Sequence, residues 1–174
     1  LSDHITSLFN RSLEYSIIPT EWKIHKIRPI PKSGDTSLVT NYRPISLLCI
    51  ISKVLEKAIF NHVIQYVGPK LSKRQFGFIK GRSCLSQLLS SYAQVYHDLD
   101  NGAKGVDAIF LDFTKAFDSV PHNELLFKLW KIGVTGKLWC WFKEYLSNRK
   151  HYVVVEEASS SMLPVVSGVP QGSI

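Results

Sequence analysis

Val106–Phe113 reads VDAIFLDF, and the chain continues as TKAFDSVPH to His122. The first eight residues are a short run dominated by apolar side chains. Such a run predicts a buried central strand, and its far end presents Asp112. A carboxylate at the end of an apolar strand is costly to bury unless it is paired or binds a cation. Hard cations such as Mg²⁺ take oxygen ligands, typically one or two carboxylates together with substrate phosphates. Asp118 follows six residues later, so a turn after the strand can bring it near Asp112. The plainer reading places Asp112 in a loop and makes Asp118 the N-cap of a helix through Pro121, Glu124, Leu125, Leu126 and Leu129, ended by Gly133. The spacing alone leaves both readings open.

The segments on either side alternate between helix and strand signals. Ser2–Tyr15 predicts a short helix with Ile5, Leu8, Phe9 and Leu13 on one face, stopped by Pro19. Trp22–Pro31 alternates apolar and basic residues and predicts an exposed strand. Ser33-Gly34-Asp35 predicts a turn, and Asn41–Pro44 a loop. Leu48, Ile51, Leu55, Ile59 and Val63 recur at helical spacing within Ser46–Val67, a long amphipathic helix ended by Gly68-Pro69. Gln75–Ser83 is a glycine-rich loop with Lys80 and Arg82, and a second helix runs to Asp100. Downstream, Thr135–Leu146 predicts a helix rich in aromatic residues. Tyr152–Val155 and Met162–Val166 predict a hairpin around Ser159-Ser160-Ser161.

The 174 residues include 21 Lys+Arg against 14 Asp+Glu, a net charge of +7, so a polyanionic partner enters the reckoning. The charge is uneven: residues 1–82 hold 13 basic and 5 acidic side chains, whereas residues 83–174 hold 8 and 9. A basic half beside a near-neutral half suits a lobe that grips nucleic acid. The densest basic stretch, Lys23, Lys26, Arg28 and Lys32, reads equally as the solvated face of a strand. With 45% hydrophobic and 20% charged residues, the composition excludes a disordered or fibrous chain. No apolar stretch reaches the roughly 20 residues of a membrane span. Cys49, Cys84 and Cys140 are an odd, widely spaced set, expected as buried or half-buried free thiols of a reducing compartment rather than a disulfide framework or a zinc site. The lack of an initiator Met and of a signal pattern suggests a piece cut from a longer protein.

Several blocks, taken in order, carry a family pattern. NYRPISLL at 41–48, FLDFTKAFDSVPH at 110–122 and SGVPQGSI at 167–174 closely resemble the reverse transcriptases of non-LTR retrotransposons of the jockey-like kind. WKIHKIRPIPKSGD from Trp22 to Asp35 and QFGFIKGRS from Gln75 to Ser83 resemble the fingers segments of that family. The resemblance implies an α+β polymerase right-hand fold, with residues 1–105 as basic, mainly helical fingers and 106–174 as a partial palm. It implies a small antiparallel sheet flanked by helices, and template-directed nucleotidyl transfer on an RNA template and DNA primer with dNTPs.

The same resemblance assigns roles by position. Asp112 matches the first catalytic aspartate, which binds both Mg²⁺ ions, and Phe113 the residue whose backbone carbonyl is a further ligand. Phe117 matches the bulky side chain under the sugar that excludes a 2′-hydroxyl. Lys115 and Ala116 match residues whose amides approach the triphosphate, Lys32 and Arg43 match basic clamps on the nucleotide phosphates, and Gln171 matches a residue lining the nucleotide pocket. Lys80 and Arg82 are implied template contacts. The blander alternatives are a surface Lys32 and an Arg43 paired with Asp35. Ile79 and Cys84 depart from the family pattern, which ordinarily has a basic residue and a Thr there. The family's Asp-Asp pair, its third palm motif, is missing from the 174 residues, so the chain by itself is expected to be inactive. A basic binding module without catalysis and a transposon relic are the competing expectations.

Overall fold

The computed structural model describes residues 2–173. In chain order the elements are α1 (Ser2–Tyr15), β1 (Ile24–Pro31), β2 (Tyr42–Leu47), α2 (Ile50–Val67), α3 (Cys84–Asp100), α4 (His122–Lys131), α5 (Gly136–Leu146), β3 (Lys150–Val155), β4 (Ala158–Ser159) and β5 (Leu163–Pro164). They fall into two compact units. The first comprises the residues up to Val63 together with those from Lys115 onward, and the second is Ile64–Thr114.

The first unit is built on one mixed sheet in the order β2-β1-β3-β4, with β5 also paired to β3. β1 and β2 form an antiparallel hairpin running from Pro31↔Tyr42 to Lys26↔Leu47. β1 and β3 pair in parallel, from Ile24↔Lys150 to Ile27↔Val153. The expected antiparallel sheet is therefore corrected to a mixed one. Local hairpin signals reveal only neighbours in sequence, whereas the long connection between β1 and β3 permits parallel pairing.

Two further expectations change in this unit. Asn41–Pro44 is not a loop: Tyr42–Leu47 is strand β2, and the helix after it starts at Ile50 rather than Ser46. Pro44 is tolerated because β2 lies at the sheet edge, where a missing N–H disrupts no inner ladder. The strand expected from Trp22 starts at Ile24, and Trp22 and Lys23 sit in a 3₁₀ turn. It is not a uniformly exposed strand either. His25 is buried, and Lys23 leaves the basic face to form an ion pair with Glu144.

Ile18 and Trp22, from the segment before β1, join residues of α2, α4 and α5 in a core of Ile18, Trp22, Leu55, Ile59, Leu126, Trp141, Tyr145 and Leu146, against which Phe9 and Leu13 of α1 pack. The Trp141 indole N–H donates to Ser12 Oγ at 3.0 Å, which satisfies the one polar atom of a buried ring. Trp141 also stacks on Tyr145 with centroids 5.1 Å apart. Arg149 is 1% exposed and joins elements rather than binding solvent. Its guanidinium donates to the carbonyls of Tyr145 (3.0 Å) and Trp22 (3.4 Å), tying the start of β3 to α5 and to the approach to β1.

The second unit contains the end of α2, a loop from Leu71, α3 and the segment leading to Thr114. Ser83 and Ser86 form a capping box at the start of α3. The central strand expected at Val106–Phe113 is absent, and the run is irregular and exposed, with Phe110 at 93% and Leu111 at 92%. Among the described residues no strand pairs with it, and a lone strand satisfies neither its backbone groups nor its apolar faces. Cys84 and Cys140 are exposed, against the expectation of buried thiols, while Cys49 is half-buried. No helix among the described residues is long and apolar enough to cross a membrane.

Candidate nucleotide-binding site

Three stretches remote in sequence meet in the first unit. The first is the connection between β1 and β2. Asp35 organises it as an Asx turn, its Oδ1 accepting the Ser37 amide at 2.8 Å, which holds the exposed carboxyl below its ordinary pKa. Asn41 Nδ2 donates to Asp35 O (2.7 Å), the Lys32 amide to Asn41 O (2.7 Å) and the Tyr42 hydroxyl to Thr36 O (2.9 Å). Lys32 leaves this loop with its ammonium 3.3 Å from Thr40 O, and Arg43 is exposed on β2.

The second stretch is the turn at 114–119. Lys115 adopts φ +54°, a left-handed conformation unusual for a residue with a Cβ. Its carbonyl accepts from the amides of Asp118 (3.0 Å) and Ser119 (3.1 Å) and from the Ser119 hydroxyl (3.0 Å). This closes the turn and fixes the Lys115–Phe117 backbone. Contrary to expectation, Asp118 is not the N-cap of α4. Pro121 occupies that position, because the turn ends before the helix begins.

The third stretch is the glycine-rich segment from Ser167. The Val169 amide donates to Phe117 O (2.8 Å), and the Ser46 amide of β2 donates to Gln171 O (2.8 Å). Gly172 has φ +132°, and a Cβ there would stand 2.6 Å from Ser46 O. The approach of the two backbones excludes any larger residue.

These stretches line a cleft of about 460 Å³. Lys32, Arg43, Lys115, Ala116, Phe117 and Gln171 all contribute, over an apolar floor that includes Ile27, Pro29 and Val153. Tyr42 and Asp118 also line it, and no sequence signal had marked Tyr42. Cationic side chains, a partly exposed ring and a side-chain amide suit a polyanion that carries a flat apolar body. A second cleft of about 350 Å³ shares Gln171 and Asp118 and is bordered by His25, Ser46 and His151. Burial, helped by the nearby Arg149 and His151, lowers the His25 pKa to about 4.

The remaining sequence-predicted residues lie in the second unit. Asp112 and Phe113 are exposed in the irregular segment, where Asp112 Oδ1 accepts the Phe113 amide at 3.0 Å. Among the described residues, no group of three or more His, Cys, Asp or Glu side chains is placed to hold a metal ion. Lys80 is exposed. Arg82 is half-buried and turned onto its own loop, donating to the carbonyls of Ser72 (3.3 Å), Lys73 (2.8 Å) and Gln75, with its guanidinium 5.7 Å from the Phe76 ring centroid.

Residues 30–174 match the family model described as reverse transcriptase (RNA-dependent DNA polymerase). The chain is 35% identical over 170 residues to the RNA-directed DNA polymerase from mobile element jockey of Drosophila melanogaster, covering 96% of this chain and 18% of that protein. It is 33% identical over 174 residues to the corresponding protein of the Drosophila melanogaster transposon X-element, covering 98% and 19%. It is 32% identical over 174 residues to the jockey polymerase of Drosophila funebris, again covering 98% and 19%. The chain thus spans under a fifth of the length of these relatives. It belongs to the reverse transcriptase family, carrying the reverse transcriptase domain of non-LTR retrotransposon RNA-directed DNA polymerases.

Proposed function

We propose that this chain is the fingers, residues 1–105, and the first part of the palm, residues 106–174, of an RNA-directed DNA polymerase, and that the cleft lined by Lys32, Arg43 and Phe117 takes the incoming dNTP. The reading rests on one observation. Lys32, Arg43, Lys115, Ala116, Phe117 and Gln171, each matched to a nucleotide role by its motif, line one cleft although they come from three distant stretches. Arg43 would fork onto phosphate oxygens and Lys32 would act as a point charge. Amides of the 115–117 turn would donate to the triphosphate, and the Phe117 ring would lie under the sugar. Lys80 would contact the RNA template, with Arg82 acting through the loop whose carbonyls it holds.

The family normally uses divalent metal ions. Asp112 and the Phe113 carbonyl are the ligands this chain would offer to Mg²⁺, which when bound activates a primer 3′-hydroxyl and steadies the leaving pyrophosphate. They fill a minor part of a six-oxygen shell and fall short of holding two ions. No step is therefore assigned to the metal on these residues, and the chain alone is expected to be inactive.

Titrating a fluorescent dNTP into the 174-residue chain tests the cleft. The double change Lys32→Ala with Arg43→Ala should weaken binding at least about tenfold, the order of one charge-assisted hydrogen bond. Unchanged affinity in that variant would return both side chains to the solvated surface.

A further inference from the structure

The nucleotide reading leaves His122 without a part. It is the first residue of α4, half-buried, and its Nε2 lies 2.7 Å from the carbonyl oxygen of Gly168. A carbonyl only accepts, so Nε2 carries the proton and donates. The bond reaches the glycine-rich segment where its fit is tightest. Gly168 has φ +82°, and a Cβ there would stand 2.6 Å from Asp118 O. Around it the Gly168 amide donates to Val120 O (2.8 Å), the Val169 amide to Phe117 O (2.8 Å) and the Ser167 hydroxyl to Asp118 O (3.2 Å). These rungs join the turn that presents Lys115, Ala116 and Phe117 to the segment that presents Gln171, and so join two walls of the cleft. The backbone rungs need no particular side chain. The His122 rung does, and without it a buried carbonyl loses its donor, which favours displacement of the segment.

We propose that His122 is a positioning residue for the nucleotide cleft. Its ring N–H holds the Gly168 carbonyl and thereby sets Gln171 against the Lys115–Phe117 turn. The consequence for nucleotide binding rests on the reading of the cleft given above, whereas the clamp itself does not.

Two measurements on the 174-residue chain separate these parts. His122→Leu keeps most of the bulk and removes the donor, and His122→Gln restores an N–H at similar reach. In His122→Leu, amide hydrogen exchange at Gly168, Val169 and Ser46 should quicken about tenfold, with the α5 amides unchanged, as expected when one local hydrogen bond is lost. Fluorescent dNTP affinity should fall about fivefold, by the same account, and His122→Gln should recover most of both effects. Unchanged exchange at the three amides overturns the clamp. So does equal quickening in α5, which would mean general loss of stability, or failure of His122→Gln to improve on leucine. A clamp that responds while affinity stays constant overturns the positioning role, and the Lys32 and Arg43 variant still judges the cleft. Absence of dNTP binding in the unsubstituted chain sinks the reading of the cleft and with it the positioning role, and the exchange data then judge the clamp by itself.

Discussion

Phe117 is 42% exposed at the edge of the cleft, in a turn whose backbone is held by the Lys115 carbonyl and by the Val169 amide. Phe117→Ala should leave dNTP binding within a few fold while raising affinity for the matching ribonucleotide, since space opens where a 2′-hydroxyl would lie. Parallel titrations with dNTP and rNTP measure the ratio, and an unaltered ratio removes Phe117 from sugar selection. Gly172 shows the same economy at the backbone. Its φ of +132° and the Ser46 carbonyl 2.6 Å from a Cβ position make glycine a requirement of close approach rather than of flexibility. Arg82 shows the limit of reading a basic residue as a ligand for phosphate, because three of its own loop's carbonyls already occupy it.

At the scale of elements, β1 is the strand on which the first unit turns, paired on one side with β2 and on the other with β3. Its inward residue His25 faces His151 across the parallel pair, rings 5.7 Å apart, with Arg149 close by, one residue before the strand that carries His151. Burial among these groups holds the imidazole neutral. In the unfolded chain His25 takes up its proton near pH 6.5, whereas in the fold it waits until about 4. Between those values the unfolded state binds more protons, so stability falls as pH drops through the window. The loss should be roughly 1–2 kcal/mol, from about 1.4 kcal/mol per pH unit reduced for residual solvent screening. Urea unfolding at neutral pH and near pH 4.5, compared with His25→Gln, isolates this contribution. Equal losses in both proteins would show that His25 is not its source.

For the molecule as a whole, 13 of the 21 basic residues fall in the first 82 positions, against 5 acidic ones. Lys23 is committed to Glu144 and Arg82 to its loop, but Arg28, Lys32, Arg43 and Lys80 remain exposed. The chain should therefore bind primer–template weakly, without sequence preference, and with a log–log salt slope steeper than about −2, as counterions are released. Fluorescence anisotropy across a salt series measures it, and a flat response would sink the polyanion grip. The same chain should give no primer extension with Mg²⁺ and dNTPs, because Asp112 and one carbonyl leave most of a metal shell unfilled. Extension above a buffer control would contradict this.

The sequence by itself determined the family and most helices. The motif blocks stand in order, and α1, α3 and α5 follow from local signals such as apolar spacing, aromatic content and the stop at Pro19, which act within a few residues. It also nominated the residues of the cleft, because each motif carries its chemistry locally. Only the tertiary structure decided the rest. The parallel β1–β3 pair, the edge strand β2 with Pro44 inside it, and the burial of Lys23 and His25 all depend on partners more than a hundred residues away or across a hairpin. Val106–Phe113 makes the same point from the opposite side. Its apolar composition reads as a buried strand, yet burial and pairing are properties of neighbours, and among the described residues no strand pairs with it. His122, silent in a one-dimensional reading, gains a partner in Gly168 for the same reason: a hydrogen bond across forty-six positions leaves no trace in local spacing.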